Sequence, residues 1–150
     1  MILTMIKINT DLERMGDLAV NIAYVGKNYF HVLLDLQLNE LSLMADKVRR
    51  MIMGSLDALV KKDVKLAQGI LLQDDAVDDL KRNITEAFVE FMVQHNDMNS
   101  IQQGVSMIMV AKTLERIADH TTNISESVIF AFTGQDVRHH NIREKTDEEA

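Results

Sequence analysis

The chain has 150 residues and contains no proline, no cysteine and no tryptophan. Without proline, few residues forbid a continuing helix, so long helices are expected. Without cysteine, disulfides and thiolate metal sites are excluded. Glycine is scarce at 6 residues and aromatic residues make up 5%. A Gly-rich phosphate loop, a nucleophile elbow and a Cys–His pair are all absent. No apolar run approaches the ~20 residues of a membrane span. The opening MILTMIKINTDLERMGDL is interrupted by Lys7, Asp11, Glu13 and Arg14, so it does not read as a signal peptide. A cytoplasmic protein is expected, touching membranes only peripherally through partners. The formal net charge of -7 argues against nucleic acid as a partner, because phosphate contacts need clustered Lys and Arg.

What the chain does have is apolar spacing in alternating steps of three and four. One helix is expected from about Thr4 to Phe30, with Met5, Ile8, Leu12, Met15, Ala19 and Ile22 on its stripe. A second runs from Asn39 to Lys62 along Leu41, Ala45, Val48, Ile52, Leu56 and Leu59. A third runs from Val64 to His95, capped by Asp63, along Ala67, Ile70, Val77, Ile84, Phe88 and Phe91. A fourth begins near Ser100, read as its N-cap, and ends near Gly134. Its stripe is Met107, Val110, Leu114, Ile117, Thr121, Ile124, Val128 and Ala131. The third helix would be roughly 48 Å long at ~1.5 Å per residue. Long helices joined by short linkers (His31 to Leu38, Lys62–Asp63, Asn96 to Asn99) predict an all-α antiparallel bundle. The ten Met residues read as pliable core. Beyond His139 the periodicity stops and a disordered tail is expected, with His139 and His140 solvated.

One element occurs twice. Leu12-Glu13-Arg14-Met15-Gly16-Asp17 returns as Leu114-Glu115-Arg116-Ile117-Ala118-Asp119, and Asn21-Ile22 returns as Asn123-Ile124. Met5-Ile6 likewise returns as Met107-Ile108. The second copy follows two long helices. The first copy starts near the N-terminus without them. Either the chain is a truncated form of a six-helix protein, or the lone helix packs on the other three or on a second chain. Its apolar stripe predicts a homo-oligomer, since each large side chain buried contributes about 1.5–3 kcal/mol.

The repeated motif sets carboxylates four residues apart on one helix face: Glu13 with Asp17, and Glu115 with Asp119. The third helix matches it with Asp74 and Asp78, and with Asp75 and Asp79. Like charges at this spacing destabilise a helix by a few tenths of a kcal/mol. Four aspartates between positions 74 and 79 therefore call for a cation or a basic partner. Such local conflicts are candidates for function. The plainer reading is a solvated acidic face, with Arg14–Asp17 and Arg116–Asp119 as surface ion pairs worth little. Repetition sets a metal site beside it on comparable footing. Oxygen-only ligands favour Mg, Ca or Mn, or iron in carboxylate clusters. A ferritin-like oxidase would need Glu-x-x-His. Gly16 and Ala118 stand where those histidines would be, and His120 is displaced from that position. Gly16 and Ala118 read instead as points of close helix approach.

Leu-Glu-Arg-Ile/Met-Gly/Ala-Asp followed by Asn-Ile is similar to the signature of the PhoU family of phosphate-uptake regulators. Gln73-Asp74-Asp75-Ala76-Val77-Asp78-Asp79-Leu80 with Ile84, and Gly134-Gln135-Asp136-Val137-Arg138-His139, resemble two further stretches of that family. The segment Asp97-Met98-Asn99-Ser100-Ile101-Gln102-Gln103 departs from it, since relatives usually carry a Pro and a Leu-Arg there. The resemblance implies two three-helix repeats. Residues 1–35 would be the third helix of a truncated first repeat, residues 36–138 a complete second repeat, and 139–150 the tail. It implies metal ions (iron clusters, Mg, Mn or Zn) held by carboxylate pairs on adjacent helices. Asp74, Asp78, Glu115 and Asp119 would form a complete site, and Glu13 and Asp17 half of another. It further implies a non-enzymatic, cytoplasmic negative regulator of phosphate uptake and starvation signalling. The partners would be the ATPase subunit of a phosphate ABC transporter and a sensor histidine kinase. The alternative is a metal-free helical adaptor that binds basic protein surfaces through its acidic faces.

Overall fold

The computed structural model describes residues 2–33 and 39–137. The tail expected from His139, and the second half of the linker before Asn39, lie outside the described residues. Five helices follow in order: α1 (Ile2–Leu33), α2 (Asn39–Lys61), α3 (Val64–Leu71), α4 (Asp74–His95) and α5 (Met98–Thr133). Together they form the all-α bundle that the periodicity predicts.

The helix ends follow local chemistry. Asp63, with extended backbone, accepts the Leu66 amide at 3.0 Å and caps α3 as expected. The turn before it closes with the Asp63 amide on the Ala58 carbonyl at 2.9 Å and the Lys62 amide on the Leu59 carbonyl at 3.4 Å. That is a Schellman closure, with Lys62 in the left-handed position (φ 56°) that glycine usually takes. Asn96 (φ 46°) ends α4 and Gly134 (φ 72°) ends α5, the latter where the sequence placed it.

Two boundaries differ from expectation. The single third helix is interrupted at Leu72–Gln73, where the Gln73 amide bonds the Ile70 carbonyl at 3.0 Å, three residues back rather than four. No Pro or Gly stands at those two positions to mark the break. The apolar phase survives across it, since Ala67, Ile70, Val77 and Ile84 are all buried. The fourth helix is capped by Asp97, not Ser100. The Asp97 carboxylate accepts the Ser100 amide at 3.0 Å and the Ser100 hydroxyl as well. Ser100 sits one turn inside and is buried.

α5 is the axis of the bundle, and each of the other four helices packs against it. Its buried face includes Met107, Ala111, Ala118, Ile124, Val128 and Ile129. Met44, Val48 and Met51 of α2 and Val77 and Ile84 of α4 close the core around it. Met15, Met44, Met51 and Met107 fill core positions, whereas Met5, Met53, Met98 and Met109 are exposed. The expectation of a methionine-rich core thus holds for part of the set.

α1 lies antiparallel to α5. Leu3 and Ile6 share a cleft with Ser127 and Phe130, while Asp17 and Asn21 share another with Arg116 and His120. The buried line of α1 is Thr4, Ile8, Asp11, Met15 and Leu18. Met5, Leu12 and Ala19 of the expected stripe are exposed. The helix is turned so that Asp11, rather than Leu12, faces inward.

α4 also runs antiparallel to α5. Gly104 marks their close approach. A Cβ there would stand 2.5 Å from Met92 Cγ and 3.3 Å from the Phe88 carbonyl oxygen. Ala118 is fully buried, as close helix approach requires. Its counterpart Gly16 is not a contact point, because nothing described lies within 4 Å of a Cβ built on it. Among the described residues no helix is long and apolar enough to cross a membrane.

Candidate metal-binding seam between α4 and α5

The break at Leu72–Gln73 places Asp74 and Asp75 in the first turn of α4. Free amides and the helix dipole favour negative charge there. The aspartate run that looked unfavourable inside one long helix is thereby eased at its start. Further along, Lys81 pairs with Asp78 at 3.3 Å and Arg82 with Asp79 at 2.8 Å, both three residues apart on the same helix.

The antiparallel packing of α4 on α5 brings the second half of the motif to the first. Asp74, Asp78, Glu115 and Asp119 meet along one seam. Their mutual influence is visible in their ionisation. Burial pushes the Asp74 carboxyl above its ordinary value, and the charges of Asp119, Asp78 and Glu115 push it further, with Lys81 opposing. Asp119 keeps solvent exposure, yet partial desolvation raises it too. Glu115 and Asp78 add to that shift, while His120 and Lys81 oppose it. A carboxyl raised on folding is less stable ionised in the folded state than in the unfolded one. At neutral pH this seam therefore carries a cost that a positive charge relieves.

One positive charge is already present. Lys81 Nζ lies 2.9 Å from Glu115 Oε1, joining α4 to α5. Lys81 is not marked as a site residue by the repeated motif. The signal was its place three residues after Asp78, on the seam side of α4.

Glu13 and Asp17 stand apart from this cluster. Both are exposed on α1, and Asp17 lines a cleft with Arg14, Leu18, Asn21, Arg116 and His120. Among the described residues, neither Arg14–Asp17 nor Arg116–Asp119 forms the ion pair that the plainer reading offered. The arginines instead line the side where α1 meets α5. His120, which looked displaced from the carboxylate axis, has its own partner: its Nδ1 lies 2.8 Å from Asp11 Oδ1.

This arrangement matches known proteins in sequence and in fold. The PhoU domain matches residues 41–128, more than half of the chain. The chain belongs to the PhoU family. It is 39% identical over 141 residues to a phosphate-specific transport system accessory protein PhoU homologue of Clostridium acetobutylicum, covering 91% of this chain and 61% of that protein. It is 32% identical to homologue 1 of the same description from Thermotoga maritima, covering 91% of this chain and 59% of that one. The crystal structure of PhoU from Pseudomonas aeruginosa superposes with a TM-score of 0.83 at 29% identity, over 89% of this chain and 64% of that one. The chain thus spans about three-fifths of the length of these relatives.

The PhoU resemblance implies a metal, and the donor set can be tested against one. Asp74, Asp78, Glu115 and Asp119 offer oxygen ligands suited to hard cations. Their arrangement does not suit one. Among the described residues, no three His, Asp or Glu side chains converge closely enough to hold an ion. The Lys81 ammonium sits on two of the four carboxylates instead.

Proposed function

We propose that this chain is a cytoplasmic, non-enzymatic regulator that restrains phosphate uptake and phosphate-starvation signalling. It would act as an adaptor between the ATPase subunit of a phosphate ABC transporter and a sensor histidine kinase. The observation that carries this reading is membership of the PhoU family, whose relatives are named accessory proteins of the phosphate-specific transport system. The bundle supports it by offering long, charged helix faces.

Residues 2–33 serve as the third helix of a first repeat, and the helices from α2 to α5 as the second. The face of α1 equivalent to the one α5 buries is open: Leu114 is 8% exposed, its counterpart Leu12 37%. A second copy of the chain meeting that face would give the homo-oligomer. Divalent metal binding at Asp74, Asp78, Glu115 and Asp119 would require these carboxylates to draw closer together than they stand here, with Lys81 moved aside. The half-set Glu13 and Asp17 would need ligands from another helix. The alternative, a metal-free adaptor that meets basic surfaces through its acidic faces, is favoured by the ion pair that Lys81 already makes.

The test is complementation. In a bacterium lacking its own PhoU, a phosphate-starvation reporter is expected to be active in phosphate-rich medium and to be silenced by this chain. Affinity capture is expected to recover the transporter ATPase and the kinase. A reporter left fully active by well-expressed, folded chain would sink the reading.

A further inference from the structure

Both copies of the repeated motif carry an arginine at the same place, Arg14 in α1 and Arg116 in α5. Because these two helices pack together in antiparallel fashion, the arginines reach one cleft from its two walls. The cleft has a volume of about 410 Å3 and also takes in Asp17, Asn21 and His120. Acidic residues outnumber Lys and Arg in this chain by 23 to 16, so carboxylates are not in short supply. Arg49, Lys61, Lys81 and Arg82 each hold one. Arg14 and Arg116 do not: among the described residues, neither side chain makes an ion pair or a hydrogen bond. Asp11 does not supply the missing charge, since His120 already engages its carboxylate. Asp17 lines the cleft yet pairs with neither guanidinium.

A guanidinium stays charged at any pH a protein meets and presents a flat fork of N–H donors. One such fork occupies both oxygens of a carboxylate. Two forks from two helices suit an anion with more oxygens and a second charge. A tetrahedral oxyanion of the phosphate type, free or as a monoester, has both. The Asn21 amide adds a neutral donor on the α1 wall. Arg14 also borders the neighbouring cleft of about 490 Å3, where it meets Lys7, Glu126 and the apolar side chains of Leu3, Ile6 and Phe130. A group joined to the anion through an ester therefore has an apolar surface beside it.

We propose that Arg14 and Arg116 form an oxyanion site between α1 and α5, which takes a phosphate-type dianion and, when filled, holds the two helices together. The full chain, freed of metal beforehand so that no ion bridges anion and carboxylates, is titrated with inorganic phosphate, sulfate and phenyl phosphate. Ionic strength is kept constant with chloride. Binding is read from the heat of titration, from the arginine Nε–H resonances and from the unfolding midpoint.

Saturable binding is expected, with the Arg14 and Arg116 resonances shifting and the midpoint rising, because a ligand of the folded state stabilises it. Arg14→Gln and Arg116→Gln are each expected to weaken binding about tenfold, as loss of one charged hydrogen bond implies. Asp17→Asn is expected to strengthen it, since a like charge leaves the cleft. Phenyl phosphate bound more tightly than inorganic phosphate would identify a monoester reaching the apolar cleft as the preferred form, and equal binding the free anion. No saturable binding of any of the three to folded chain would overturn the proposal. So would an affinity that either arginine variant leaves unchanged, because the site requires both.

Discussion

His120 and Asp11 meet across the α1–α5 interface with 2.8 Å between Nδ1 and Oδ1, and their side chains are only 15% and 13% exposed. A partly buried polar pair of this kind costs little while intact and much more when one member is left behind. Asp11→Ala and His120→Ala are each expected to lower stability by about 1–3 kcal/mol. The double variant should lose less than the sum, by roughly 1 kcal/mol or more. Urea unfolding of the four proteins checks it, and strict additivity would show that the two residues act independently.

Two glycines in equivalent surroundings by sequence, a long helix in each case, should respond in opposite ways. Gly16 has open space around it, so Gly16→Ala gains helix propensity and is expected to stabilise by about 0.5–1 kcal/mol. Gly104 faces Met92 and the Phe88 carbonyl. Met92 can move aside but the backbone oxygen cannot, so Gly104→Ala is expected to cost about 1–3 kcal/mol. Thermal or urea unfolding decides the signs.

The cap of α5 should make its stability pH-dependent. Hydrogen bonds from the Ser100 side chain, and then from its amide, hold the Asp97 carboxyl below its ordinary value of 3.8. A depressed carboxyl contributes stability that is fully present above the unfolded value and is lost as pH falls through the folded one. The stability difference between the parent and Asp97→Asn is therefore expected to be constant above about pH 5. It should shrink below that and disappear under the depressed value. A difference independent of pH down to 2 would contradict it.

The open face of α1 should drive self-association. Leu3 and Ile6, at the rim of the cleft between α1 and α5, are 77% and 58% exposed, and Leu12 on the same helix is 37% exposed. Light scattering is expected to show a species larger than one chain, reduced to the monomer by Ile6→Glu together with Leu12→Glu. A parent that stays monomeric at high concentration would rule this out.

Sequence reading reached furthest where the cause was local. Spacing of three and four located the helices, Asp63 announced its own cap, and the resemblance to the PhoU family put Asp74, Asp78, Glu115 and Asp119 into one set before any contact was known. It fell short where the cause lay elsewhere in the chain. Leu12 is the better core residue by hydrophobicity, yet Asp11 faces inward because His120, on another helix, is there to meet it. Lys81 reads as an ordinary surface lysine until α5 is placed beside α4. The break before Asp74 is a tightening of backbone hydrogen bonds at two residues that suit a helix, so composition left no mark of it.

The central place of α5 has a consequence for the order in which the protein comes into being. Ribosomes make this chain from α1 onward, so the helix against which all the others rest is the last of the five to emerge. Until it does, α1 lacks its main packing partner among the described helices, and α2 has α3 and α4 to pack on. Folding of this region is therefore completed only once α5 is made, leaving a window in which apolar helix faces are open to aggregation.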